Sequence, residues 1–255
     1  MPSSPDQDTA IGGAQARFPA TRWSAIAAAR SPVAAERTLA FETLVAAYWK
    51  PVYKYIRVKW GQSNEDAKDL TQGFFARAFE KDFFRGYDPS KGSFRTYMRT
   101  CAGAFVANEQ KATRRIKRGG DTVLLSLDFE GAEGEIGRLE VPARESLDDY
   151  FHKEWIRNLF SLAVEKLQEE CEARGKQIHF RLFERYDLED GEPEGKPTYE
   201  QLAAELGLSA TAVTNYLAFA RREFRRIVIE ELREVTTSDE EFRSEARLLL
   251  GLKAR

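Results

Sequence analysis

Apolar residues recur at helical spacing along most of the chain, and no stretch alternates apolar and polar positions as a half-buried strand does. Residues 1–20 are polar and carry Pro and Gly, a flexible leader, after which Thr21-Arg-Trp-Ser-Ala-Ile opens a first short helix reaching about Arg30. From 36 to 60 the stripe Leu39, Leu44, Val45, Tyr48, Tyr53, Ile56 and Trp60 is helical, with Pro51 marking a kink or a junction of two helices, and Gly61 closes it. Ser63-Asn-Glu-Asp66 has the form of a capping box, and Ala67, Leu70, Phe74 and Ala78 follow on one face of a helix ending near Lys81. Residues 86–92 are dense in turn formers, and Ser93 is placed to cap a long helix through Phe94, Met98, Cys101 and Phe105 to about Lys117.

Gly119-Gly120 ends this first bundle. Residues 121–154 then hold ten acidic residues against three basic ones, with Gly131, Gly134, Gly137 and Pro142 among them, so the stretch reads as an acidic linker at least to Ser146. Trp155, Leu159, Leu162, Val164 and Leu167 begin a second helical region, followed by a shorter helix over 177–186 and an acidic, turn-rich loop over 187–195. Two closely spaced helices, 199–206 and 210–233, precede a charged tail with Leu248, Leu249 and Leu250. The expected fold class is all-α: two helical domains joined by an acidic flexible linker. The expected boundaries are 1–37 for leader and short helix, 38–119 and 147–234 for the two domains, 120–146 for the linker and 235–255 for a C-terminal extension.

The stretch 198–216 is the most specific. Thr198-Tyr-Glu-Gln201 is a second capping box, and Ala203, Gly207 and Val213 fall where a helix-turn-helix needs them. Ala203 is small enough for close helix crossing, Gly207 can take positive φ in the turn, and Val213 fills the wedge between the helices. Ser209 caps the second helix and places Ala210, Thr211, Thr214 and Asn215 at its exposed start, the part that meets base edges in a major groove. Behind them Arg221, Arg222, Arg225 and Arg226 crowd the helix with only Glu223 opposing, a set suited to phosphates. The plainer reading is a helical hairpin with a solvated basic face.

A second basic patch comprises Arg95, Arg99, Lys111, Arg114, Arg115, Lys117 and Arg118, opposed between 95 and 118 by Glu109 alone. Lys111, Arg114, Arg115 and Arg118 share one helix face, continuous with Asn108. Phe94, Tyr97, Met98 and Phe105 precede them as core residues or as rings on which bases stack.

Charge is local, because 39 basic and 41 acidic residues leave a net of −2, too little for the whole chain to draw nucleic acid. Two cysteines and two histidines, each widely separated, form neither a metal site nor a disulfide framework, and no cofactor or metal is expected. The sequence holds no P-loop, no G-x-G-x-x-G and no H-E-x-x-H, which argues against an enzyme. With no run of about 18 apolar residues and no signal sequence, the expectation is a cytoplasmic protein without a membrane span.

Taken together these segments resemble the bacterial RNA polymerase sigma factors of the sigma-70 class, in particular the extracytoplasmic-function (ECF) group, over about residues 38–118 and 150–233. Glu65-Asp-Ala-Lys-Asp-Leu-Thr-Gln-Gly-Phe-Phe75 is similar to the family's helix that docks on core polymerase. Phe94-Arg-Thr-Tyr-Met-Arg through Asn108 and Arg115 resembles its promoter-melting and minus-ten helix, and 198–226 its minus-thirty-five helix-turn-helix. The leader Phe18-Pro-Ala-Thr-Arg-Trp-Ser and the linker Leu125-Ser-Leu-Asp-Phe129 resemble one branch of the group. The resemblance implies a dissociable specificity subunit with core RNA polymerase and promoter DNA as partners, and an anti-sigma factor or kinase as a regulator. It carries over Asp66, Asp69 and Gln72 as polymerase contacts, although Asp66 also has a local role in its capping box. Two positions depart from the family: Gly73 stands where an acid is usual, and Ala104 where Asn is common. The alternative is a helix-turn-helix transcription regulator that never touches polymerase. The tail, through Phe242, Ala246, Leu249 and Leu250, is either a regulatory helix or a structural cap on the second domain.

Overall fold

A computed structural model describes residues 24–81, 83–113, 127–137, 146–189 and 196–249, and among them there are helices and turns but no strand. The helices are α1 (Ala25–Ala28), α2 (Ala34–Trp60), α3 (Asn64–Glu80), α4 (Phe94–Thr113), α5 (Phe129–Gly137), α6 (Leu147–Ala173), α7 (Gln177–Phe183), α8 (Tyr199–Leu206), α9 (Ala210–Glu234) and α10 (Asp239–Leu249). The all-α class is thus observed.

Helix α2 is the axis of the molecule, touching α1, α3, α4, α5 and α6. Pro51 neither ends nor splits it: the helix runs 27 residues and stops at Gly61, whose φ of 57° is the left-handed conformation that glycine tolerates best. Proline has no N–H to offer the Ala47 carbonyl one turn back. Asn158 of α6 replaces it, its Nδ2 donating to the Ala46 and Ala47 oxygens at 2.9 and 3.0 Å. Phe74 and Phe75 of α3 and Phe94, Met98 and Val106 of α4 close the first bundle, all at most 1% exposed.

The expected linker contains α5. Its charge pattern reads as solvated chain, yet Phe129 packs edge-on against Trp49 and Tyr53, at 5.4 and 5.2 Å between ring centroids, and Ala132 is buried. Two of its acids are ion-paired: Glu133 accepts from Arg57 and Tyr53, and Glu135 from Lys50 and Lys54. Arg57 holds the Glu133 carboxyl below its ordinary range, outweighing the opposite effect of burial.

Helix α6 lies on α2 along its first half and on α9 along its second. Tyr48 stacks on Trp155 at 6.2 Å, Tyr55 meets Phe151 at 5.5 Å, and buried Lys54 binds buried Glu154 at 2.6 Å. One continuous apolar core therefore runs from α1 through α6 to Ile227, Val228 and Leu232 of α9 and Phe242 and Leu249 of α10. A second, small core of Leu182, Leu202, Ala203, Val213 and Leu217 belongs to α7, α8 and α9.

Candidate nucleic-acid interface

The sharp turn between α8 and α9 forms as its residues dictate. Thr198 and Gln201 satisfy one another's backbone amides reciprocally, at 3.2 and 2.7 Å. Gly207 takes φ 66°, and the Leu208 amide folds back onto the Ala203 carbonyl at 2.8 Å. Ser209 caps α9 through the Ala212 amide at 3.1 Å. Val213 is fully buried between the two helices.

This geometry leaves one uninterrupted exposed stripe on α9: Thr211, Thr214, Asn215, Ala218, Arg222 and Arg225, with Ser209 exposed and Ala210 half-buried at its head. Ala218 is the member the sequence reading missed, although its place seven residues beyond Thr211 puts it on the same face. Two of the four arginines point elsewhere. Arg221 forms a forked pair with Asp187 at 2.8 and 2.9 Å and lies over the Tyr186 ring, while Arg226 binds Glu170, Glu223 and Glu230. Arg222, in a long 3.7 Å pair with Glu223, keeps 68% of its side chain exposed, and Arg225 is exposed, so these two extend the stripe into solvent.

Helix α4 also divides its residues. Thr96, Thr100, Ala104, Asn108 and Lys111 are exposed on one side. Arg95 and Arg99, grouped with them by sequence, turn toward α6 and α10: Arg95 binds Glu245 at 3.0 Å, contacts His152 and lies over Trp155, and Arg99 pairs with Asp148. Arg114, Arg115 and Arg118 lie outside the described residues. Tyr97 and Phe105 line a groove of about 510 Å³ between α3 and α4 with Arg77, Lys81, Phe83, Asn108 and Glu109, so an aromatic floor stands beside an amide, Lys81 and an Arg77–Glu109 pair at 3.6 Å. Arg77, Lys81 and Phe83 escaped the sequence reading because they sit on α3 and the turn after it, outside the counted basic run.

On α3, Asp66 and Asp69 are exposed and Gln72 is half-buried. Asp66 has its local role, exchanging hydrogen bonds with Ser63 through its amide at 3.1 Å and its carboxylate at 2.7 Å. Asp69 pairs with no described cation. At Gly73 a Cβ would stand 3.3 Å from the Phe105 ring, which packs across the glycine.

A family model described as "ECF sigma factor" (Sigma70_ECF) matches residues 40–230, three quarters of the chain. The chain belongs to the ECF sigma factors. No curated protein and no solved structure gives a match. The matched span runs from α2 to the last turns of α9, so it includes α5 and every face described above and leaves α10 outside. Among the described residues of this sigma factor, no helix is long and apolar enough to cross a membrane, and no His, Cys, Asp and Glu group is placed to hold a metal.

Proposed function

We propose that this sigma factor binds core RNA polymerase through Asp69 and its neighbours Asp66 and Gln72, and directs it to promoters in the cytoplasm. The observation that carries the reading is the exposure of Asp69 on α3 without a described partner, beside two separate DNA-suited faces. A regulator that only bound DNA has no use for that stripe.

In this reading the module over 147–234 reads the minus-thirty-five element. Thr211, Thr214 and Asn215 meet base edges, with Ser209 and Ala210 at the helix start and Arg222 and Arg225 on phosphates. The module over 38–119 takes the minus-ten element: Asn108 and Lys111 lead from α4 toward Arg114, Arg115 and Arg118, and the α3–α4 groove is wide enough to hold an unstacked base between Tyr97, Phe83 and Phe105. Arg221 positions the recognition helix through Asp187. The protein catalyses no reaction of its own; it supplies the binding energy that selects and opens the duplex. An anti-sigma factor or a kinase is the class of regulator the family implies.

The test is size exclusion of the purified chain with bacterial core RNA polymerase, beside an Asp69→Lys variant. Co-elution that is lost in the variant is expected. Failure of both to co-elute favours the helix-turn-helix regulator that never meets polymerase.

A further inference from the structure

Helix α10 lies across the first turn of α4, and its acids take the groups there that an anion would take. Glu241 Oε1 accepts the Phe94 amide at 2.8 Å, an amide at the start of α4 that has no partner within its own helix. The other carboxylate oxygen accepts the Thr237 amide and hydroxyl at 2.8 and 2.7 Å, so one side chain ties the start of α10 to the start of α4. One turn on, Glu245 holds Arg95 at 3.0 Å, and from α6 Asp148 holds Arg99. Phe242 and Leu249 fall on the same face of α10 as these acids and are buried.

The contact is incompletely satisfied. Glu245 is 5% exposed, yet its Oε2 has no hydrogen-bond partner, and neither has the buried Nε of Arg95. A buried polar atom without a partner is costly, so each of these groups favours an arrangement in which it finds one. A backbone phosphate fits the two groups that α10 takes: it accepts from a helix N-terminus and from a guanidinium fork.

We propose that α10 is an acidic latch that mimics a DNA strand on α4, and that it must lift before Arg95 and the Phe94 amide can take promoter phosphates. The proposal rests on the reading of α4 as the minus-ten helix. It also gives Arg95 of the expected interface a reason to be paired with an acid in the free protein. The latch is joined to α9 through 235–238, so displacing it frees α4 without disturbing the core of the helix-turn-helix, whose residues lie on α7, α8 and α9.

The test uses the full chain and a fluorescein-labelled 20-nucleotide oligothymidine, followed by anisotropy at low salt. The isosteric pair Glu241→Gln/Glu245→Gln and a chain stopped after Ser238 are expected to bind about tenfold tighter than the native chain, as for a latch closed about nine-tenths of the time. Adding Arg95→Ala is expected to remove that gain. Asp239→Asn/Glu240→Gln removes the same charge from exposed positions of α10 and is expected to leave affinity within about twofold of native; an equal gain there reduces the effect to net charge and overturns the latch. Amide exchange at Phe94 reports docking directly. Faster exchange in the opened variants without tighter binding overturns the proposal, and so does unchanged exchange. Circular dichroism separates release from unfolding, and the two opened variants reach release by different routes. Opened variants that gain strand affinity but fail to co-elute with polymerase would leave the latch standing and remove the sigma-factor reading instead.

Discussion

Asn158 does for α2 what Pro51 cannot. The proline removes the amide that would bond the Ala47 carbonyl, and the Asn158 side chain arrives from another helix to supply the donor. Asn158→Leu is therefore expected to destabilise the protein by about 2–3 kcal/mol, since it strands buried carbonyls. In a Pro51→Ala background the new amide reaches Ala47, and the loss is expected to fall by about 1 kcal/mol. Urea denaturation of the four proteins checks this; simple additivity refutes the coupling.

The arginines of α9 are expected to separate in their effects. Arg222→Ala and Arg225→Ala should each weaken DNA binding for all sequences alike and lower the salt slope by about 1. Arg221→Ala should instead lower the stability of the helix-turn-helix by on the order of 1 kcal/mol, because Asp187 and the Tyr186 ring lose their cation. Salt titrations of DNA binding beside thermal melts distinguish the two groups.

Gly73→Ala should stabilise α3. Alanine gains up to about 1 kcal/mol of helix propensity, and Phe105, which borders the open groove, has room to move from its 3.3 Å approach. A rise in Tm of about 2–4 °C is the expected outcome; a fall would mean that the ring is fixed in place by the rest of the groove.

His179 stacks on Tyr216 at 4.0 Å and meets Phe219 edge-on, and burial, aided by the Lys176 charge, lowers its pKa from the usual value near 6.5. A base held neutral in the fold contributes stability that is full above its unfolded pKa and is lost as pH falls through the window below it. Ring-proton NMR should give a midpoint below 6.5, moving upward in Lys176→Ala. A midpoint at or above 6.5 in the native protein contradicts the packing described.

Local signals were readable where one helix decides the outcome. The capping pair at Thr198 and Gln201, the turn at Gly207 and the wedge at Val213 follow from steric demands that operate over a few residues. That Arg95 and Asn108 stand on different faces of α4 is also implied by spacing: 13 residues at about 100° each place them roughly 220° apart around the helix. Arg221 is a different case, since its partner Asp187 is 34 positions away and only tertiary packing brings them together. Phe129 and Ala132 lie in a stretch whose acids and glycines dominate any periodicity, and α2 supplies both the aromatic wall and the cations that make α5 a helix. The latch residues Glu241 and Glu245 look like ordinary solvated acids until α4 is placed beside them.

The wall shared by α2 and α6 also bears on how the chain is made. Tyr48, Tyr55 and buried Lys54 are covered by Trp155, Phe151 and Glu154, which leave the ribosome about a hundred residues later. At about 5–20 residues per second the first bundle waits roughly 5–20 seconds with a bare aromatic surface. During that interval the nascent chain is a natural client for chaperones, and pauses in translation between α5 and α6 would lengthen its exposure to aggregation.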